Sequence, residues 1–365
     1  MAGADLVGKS VRRRTAFARI ESVTGVPETG FTSEDGILCK TIDVTPLESN
    51  TVAREFIRDS FGGFSELIVS RASSVAIEVD LRDAINTPAT NVIPEIDTFW
   101  RMCGMDRVIL DSDNAPKYVA SGGNFILAPT PVDSDKGVLY RPTSGLRTVT
   151  SEPTSLANAP SPGLCTGTIQ VYADGKLHQI SGAMGTFVIN MNVSELPSVT
   201  FTFTGDYREP TDTARPSGDA GKRLPVPLVV SNDNTVLTFP PSLNPRMYNF
   251  SFDAGNEITR PAVVGAGIST RLVDRRSSGS IEVQSSAVEA NNPWRLMGTG
   301  QTSVIKILHR NPAAPARTLE IDLPSCAYGA GTYGDQDSVE TIVIPLQMIA
   351  SDSGNDELLL RYIRP

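Results

Sequence analysis

Few residues in the chain are suited to chemistry, and their spacing limits what each could do. The two histidines are His178, in the turn-to-strand run Gly175-Lys176-Leu177-His178-Gln179, and His309, which follows the apolar run Val304–Leu308. A Ser–His–Asp relay would have to use one of them, and no GxSxG nucleophile elbow accompanies either. Both read as ordinary polar positions. Four cysteines (Cys39, Cys103, Cys165, Cys326) are widely separated with no CxxC pair, so zinc ligation at ordinary spacing is not available. Small buried hydrophobes is their expected role. Asp111/Asp113, Asp133/Asp135 and Asp335/Asp337 resemble pieces of a calcium loop, yet none completes the ligand series with a Gly and a closing Glu. Solvated turns are expected there. Gly329-Ala330-Gly331-Thr332-Tyr333-Gly334 satisfies GxGxxG, but a phosphate loop needs a helix starting at the glycines, and Asp335, Gln336 and Asp337 lead instead into strand-like Thr341–Ile344. It reads as a turn. No GxxxxGK[ST] occurs, and the plentiful carboxylates single out no pair for two-carboxylate hydrolysis. A non-enzymatic protein without catalytic, cofactor or metal residues is expected.

Charge narrows the partners. The 365 residues hold 32 Lys+Arg against 41 Asp+Glu, a formal net charge of −9. Tight binding of nucleic acid by the whole surface is disfavoured, because phosphates are held by a basic face that displaces their counterions. The one dense basic run, Arg12-Arg13-Arg14, reads as a solvated arm. The N-terminus lacks an apolar core followed by a cleavage site, and no run of 18 apolar residues occurs, so a cleaved signal and a membrane span are both unsupported.

The elements that must position these residues are mostly strands. Residues 1–36, punctuated by Gly25, Pro27, Gly30 and Gly36, read as an arm or long loop, with regular structure starting near Ile37. Strand-like stretches follow at Ile37–Val44, Glu66–Ser70, Val75–Leu81, Thr168–Tyr172, Thr186–Met191 and Ser198–Thr204. In the last, Val199, Phe201 and Phe203 alternate with Thr200, Thr202 and Thr204, as a half-buried strand requires. Between Pro94 and Gly104, Ile96, Phe99, Trp100 and Cys103 fall at i, i+3, i+4 and i+7, which predicts a short amphipathic helix. A shorter version spans Pro293 to Gly298 around Trp294. Each Trp is expected to plug a core where helix lies on sheet.

Those helices belong to an apparent repeat. Arg71–Val79 matches Arg275–Val283 at Arg, Ser, Ser, Ile, Glu and Val, and in both places a strand-like IEV precedes a Trp-Arg-x-x-Gly helix. The expected fold is therefore mainly β, with two tandem barrel or sandwich units, each carrying a short α-helix packed on its sheet. Residues 1–40 form an N-terminal arm with its first strand, 41–205 the first unit with an irregular surface insert at 106–164, and 246–365 the second unit. The Pro-rich 206–245 connects them and is expected to hold a hairpin of Val226–Val230 and Thr235–Phe239.

The segment order resembles that of tail tube proteins of long, non-contractile-tailed bacteriophages. The resemblance lies in Asp43-Val44-Thr45-Pro46, Leu67–Arg71, Ala76–Leu81 and Pro94–Gly104, then Thr168–Gly175, Gly182–Thr186, Glu195–Pro197, Phe201–Gly205 and finally Gly354–Leu358. It covers most of the chain outside 1–36, 106–164 and 206–247. It implies a virion structural protein, the major subunit of rings that stack into a DNA-conducting tube, made in the host cytoplasm. The implied partners are further copies of itself, other tail proteins at the tube ends, and viral DNA passing without specific binding; no membrane is involved. If simple members build six-fold rings, two tandem copies per chain predict a homotrimeric, pseudo-hexameric ring. The loop Leu47–Gly63 is expected to make ring-to-ring contacts through Val52, Arg54, Phe56, Ile57, Arg58 and Phe61. A receptor- or carbohydrate-binding β-sandwich of a virion surface is the alternative; it would need exposed aromatic platforms, and aromatics are 6% of the chain.

Overall fold

A computed structural model describes residues 14–54, 64–82, 93–110, 118–121, 124–127, 137–144, 163–216, 226–239, 246–261, 269–285, 293–312, 318–351 and 354–363. The first half contains β1 (Arg14–Ile20), β2 (Gly36–Ile37), β3 (Thr41–Val52), β4 (Leu67–Asp80), α1 (Asp97–Met102), β5 (Met105–Leu110), β6 (Tyr118–Ser121), β7 (Asn124–Leu127) and β8 (Gly137–Pro142). It continues with β9 (Gly167–Ala173), β10 (Lys176–Asn192), β11 (Ser198–Tyr207), β12 (Thr211–Asp212) and β13 (Thr235–Thr238). The remainder is β14 (Met247–Asp253), β15 (Asn256–Thr259), β16 (Arg271–Arg275), β17 (Ser278–Gln284), α2 (Pro293–Thr299), β18 (Ser303–Arg310), β19 (Thr318–Tyr328), β20 (Thr332–Gln336), β21 (Val339–Met348) and β22 (Leu359–Ile363). With 60% strand and 6% helix, the fold is mainly β, as expected.

Two layers enclose the core. One is an antiparallel sheet in the order β3-β4-β11-β10-β14-β17-β21-β20. The other runs β13-β18-β19-β22-β8-β5 and joins the first at a corner where β19 pairs with the end of β21. No series of pairings among the described residues returns to its starting strand, so the sheets remain open. Alternation makes each layer two-faced. Val75, Ile77, Val199, Phe201, Phe203, Phe187, Phe252, Ile281 and Ile344 point inward from the first layer, meeting Val138, Tyr140, Ile305, Ile321 and Leu360 of the second.

Helix α1 fills the space between the layers. Ile96, Phe99, Trp100 and Cys103 are buried, matching the predicted spacing. Trp100 stands edge-on to Phe187 and Phe201, with centroids at 4.8 and 4.9 Å, and lies 6.2 Å from Tyr140. The other face of α1 is buried too, where an amphipathic helix would be wet. Asp97 accepts hydrogen bonds from Tyr140 Oη (2.6 Å) and Arg107 Nη1 (2.9 Å), and the Arg101 guanidinium lies 3.7 Å away. Removing that carboxylate from water is offset only because its donors are placed around it.

A second buried carboxylate sits at an irregularity of the sheet. Glu21 accepts from the backbone N–H groups of Gly25 and Gly182 and from the hydroxyls of Thr166 and Thr168, all at 2.7–2.9 Å. Gly182, at φ +59°, sits in the bulge where the register of β10 slips against both β9 and β11. Before the bulge β10 pairs with β9, which carries β1; after it, β10 pairs with β14.

Several expectations change. Residues 1–36 are not only an arm: β1 buries Ala16 and Ala18 in the main core and Phe17 in a smaller cluster with Tyr172 and Leu177, and Arg14 donates to the Ile42 carbonyl at 2.6 Å instead of standing in solvent. The 106–164 insert is not wholly superficial, because β5 and β8 bury Val108, Ile109, Val138 and Tyr140. The connector hairpin does not form as predicted: β13 pairs with β18, while Val226–Val230 is irregular and tied by Ser194 and Val230 N–H bonds to the turn after β10. Leu47–Val52 is strand, not loop. Trp294 is only half-buried and packs 5.0 Å from exposed Tyr333. His309 is fully buried, its Nδ1 3.0 Å from Thr235 Oγ1, and burial holds its pKa down at about 4. Three cysteines are buried, Cys39 is partly so, and all are free thiols. The GxGxxG segment leads into β20, a strand. Arg12, Arg13, Asp111, Asp113, Asp133 and Asp135 lie outside the described residues.

Because Trp100 joins both layers, Trp100→Ala is expected to cost about 3–5 kcal/mol, and Tyr140→Phe about 1–3 kcal/mol through the donor lost to Asp97. Urea unfolding measures both; a loss under about 1 kcal/mol for Trp100→Ala would remove α1 from the role of wedge.

Candidate assembly surface

Opposed residues of an antiparallel pair share a face, so register alone fixes what the first sheet turns away from its core. One rung crosses seven strands: Thr41, Glu78, Thr200, Val188, Asp253, Ser278 and Gln347. The next holds Asp80, Ser198, Asn190, Ser251, Ser280 and Pro345. On the other side lie Asp43, Ala76, Thr202 and Thr186. Apart from Val188, Pro345 and Ala76 these positions carry hydroxyls, amides and carboxylates, and none carries a lysine or arginine. Short side chains bond to one another across strands, as Ser251 Oγ does to Ser280 Oγ at 3.0 Å and Thr341 Oγ1 to Glu282 Oε1 at 2.6 Å. Lys40, at the margin, donates to Glu78 at 2.8 Å. That bond, with the charges of Glu78, Asp80 and Glu195, holds its pKa above the usual lysine value.

Both margins of this sheet end in edge strands. β3 pairs only with β4, and β20 only with β21, among the described residues. Every strand is antiparallel to its neighbour and there are eight, so β3 and β20 run in opposite directions.

The β3–β4 hairpin overhangs the sheet. The last residue of β4 paired to β11 is Ala72, so among the described strands Leu67–Arg71 pair with β3 alone. At about 3.3 Å per residue the ribbon extends roughly 16 Å beyond its support. Leu47, Val52, Leu67, Ile68 and Val69 are each about half exposed there. Arg260 bonds the Arg71 carbonyl at 3.1 Å and pairs with Asp206, anchoring the base. Of the predicted contact residues, Val52 ends β3, and Arg54 lies with its guanidinium 5.9 Å from the Phe64 ring. Phe56, Ile57, Arg58 and Phe61 lie outside the described residues. The run Leu67-Ile68-Val69 was the sequence signal for the exposed ribbon, masked by its resemblance to an ordinary core strand.

Groups of three or more His, Cys, Asp and Glu able to hold a metal are absent among the described residues, and no described helix is long and apolar enough to cross a membrane. No curated protein matches the chain. A family model described as phage tail tube protein matches residues 12–287, a range that takes in β1 to β17. With well over half of its length matched, the chain belongs to the phage tail tube protein family.

Proposed function

We infer that this tail tube protein is the major subunit of rings that stack into a DNA-conducting tube, and that its polar sheet face lines the channel. The observation carrying this is the face itself: eight strands wide, acidic where charged, without a cation at the rung positions. DNA slides past such a wall because no lysine or arginine exchanges places with its counterions.

Ring closure follows from the edges. β3 of one copy pairs with β20 of the next, and the even strand number keeps the antiparallel alternation unbroken at the seam. Copy number then fixes the bore. Three copies of eight strands, spaced about 4.8 Å, give a circumference of roughly 115 Å and a backbone diameter of about 37 Å before tilt. Two copies give about 24 Å, which side chains on both walls would reduce below the width of a duplex, and six give about 73 Å. The trimer is therefore favoured, whether or not 41–205 and 246–365 are tandem units. The comparison of those halves is mixed: α1 and α2 each follow an IEV strand, but β4 lies between β3 and β11, whereas β17 lies between β14 and β21. The Trp294–Tyr333 pair is what favours a receptor- or carbohydrate-binding role instead; it sits beside the β20 edge, where ring closure would cover it.

Native mass spectrometry of assembled rings should give three times 39.0 kDa, 117 kDa; a ring of six chains would refute the trimer. Unsubstituted tubes should show no salt-sensitive binding of duplex DNA at micromolar concentration in fluorescence anisotropy. Thr200→Arg/Thr202→Arg/Ser251→Arg should bind, with affinity falling steeply as salt rises, by a log–log slope of about −0.9 per phosphate neutralised. Unchanged DNA binding by that triple variant in intact tubes would place the face outside the channel.

A further inference from the structure

The two free edges of the first sheet carry enough detail to fix how they meet. Residues opposed in an antiparallel pair either exchange hydrogen bonds or turn their N–H and C=O groups away from each other, alternating along the strand. On β4 the Glu78 carbonyl points at β3, where it accepts from the Lys40 N–H at 2.7 Å, so the adjacent Ile77 points at β11. Ile42, opposite Ile77, therefore turns its backbone groups to the free edge of β3, and Val44 does the same. On β21 the Glu340 carbonyl accepts from the Ser285 N–H at 3.0 Å, just past the end of β17. Asp335, opposite Glu340, and Tyr333, two residues earlier, therefore face the free edge of β20.

The edges stand at different heights. The rung of Thr41 crosses β21 at Gln347, whereas Thr332–Gln336 lie opposite Val343–Val339, four to eight residues further from the ribbon. Sliding the next copy by one residue per strand across its eight strands sets Gln336 opposite Thr41 and Thr332 opposite Thr45. That stagger tilts the strands by about 35° from the ring axis, as closed barrels require. It also matches the alternation: edge-facing Asp335 and Tyr333 meet edge-facing Ile42 and Val44, and exposed Tyr333 comes onto half-buried Val44. Two residues further along β3, Tyr333 would meet Pro46, which has no N–H to give. Two residues back, Asp335 and Gln336 would pass the start of β3.

Charge follows the same register. Arg14 donates to the edge-facing Ile42 carbonyl at 2.6 Å and has no carboxylate partner among the described residues. Burial, Lys176 and Arg14 together hold the His178 pKa below its usual value, so the positive charge there is not neutralised. Asp335 is exposed, accepts from the Ser338 N–H at 3.1 Å, and has no cationic partner among the described residues. Both stand on the core side of the first sheet: Arg14 on β1, whose Ala16 and Ala18 join the core, and Asp335 on the side of Tyr333 and Ile342.

We propose that Arg14 of one copy pairs with Asp335 of the next copy in the same ring, an ion pair that selects the register of Thr41–Thr45 against Thr332–Gln336. This rests on the ring closure inferred above and adds the contact that sets how far one copy slides along the other.

Two full-length variants, Arg14→Glu and Asp335→Arg, test the pair. Each should raise the concentration needed for half-maximal ring formation in native mass spectrometry by about tenfold or more, because every seam then places like charges together. Arg14→Glu/Asp335→Arg in one chain should bring it back near the unsubstituted value, which damage within a single chain would not do. Engineered cysteines read the register with both charges in place, so this arm stands even if a charge reversal fails to fold. Thr45 and Thr332 meet as a non-hydrogen-bonded pair with Cα atoms about 4.5 Å apart. Thr45→Cys/Thr332→Cys should therefore link neighbouring copies when air-oxidised rings are run on a non-reducing gel, and Asp43→Cys/Thr332→Cys should not. Ring formation by Arg14→Glu at the unsubstituted concentration would overturn the pair while leaving ring closure standing. So would a double variant no better than the single ones, or failure of the Thr45→Cys pair to link. Absence of rings from the unsubstituted chain would remove the ring reading and this contact with it.

Discussion

The constraint on which everything else depends is strand parity. A slip of one residue at the β10–β11 pairing would send phenylalanines to the polar face and threonines into the core. Phe201 and Phe203 on β11, Phe187 on β10 and Phe252 on β14 hold that parity through contact with one another and with Trp100. The polar face is therefore the reverse side of a packing solution. Thr200 and Thr202 face outward because their neighbours in sequence cannot.

The register also shows where regularity is given up. Slips between Thr45 and Glu48 and between Asn50 and Thr51 interrupt β3 against β4 as the ribbon leaves the sheet, and the bulge near Gly182 turns β10 from one partner to another. The slips in β3, at the margin, discourage random edge pairing by distorting the row of free N–H and C=O groups. β20 achieves a similar end by being short, with Gly334 and Asp335 near its middle and a tight turn at Asp337 and Ser338, both at positive φ.

What the sequence disclosed tracks how each segment is buried. β11 was legible because one face is wet and the other dry, giving the Val-Thr-Phe-Thr-Phe-Thr pattern. α1 was legible from Ile96, Phe99, Trp100 and Cys103, although its buried Asp97 and Arg101 looked like a solvated face. β5 and β8 were not, because a strand covered on both sides loses alternation, and Asp106 and Arg107 made β5 look superficial. β1 was hidden by its small residues, Thr15, Ala16 and Ala18, between arginines. Glu48, Ser49 and Asn50 read as loop because a two-stranded ribbon with no third layer among the described residues has no apolar periodicity to show. The polar face was illegible for a different reason: its rungs join strands far apart in sequence, and only pairing reveals that their polar residues line up.

The opposed directions of β3 and β20 carry a mechanical consequence. When a sheet is closed from copies that begin and end in this way, load applied outward along the circumference crosses the junctions through the same ladder of N–H···O=C bonds as it crosses the interior. A conduit made of such walls would give way first at the seam, where β20 offers five residues against the ten of β21.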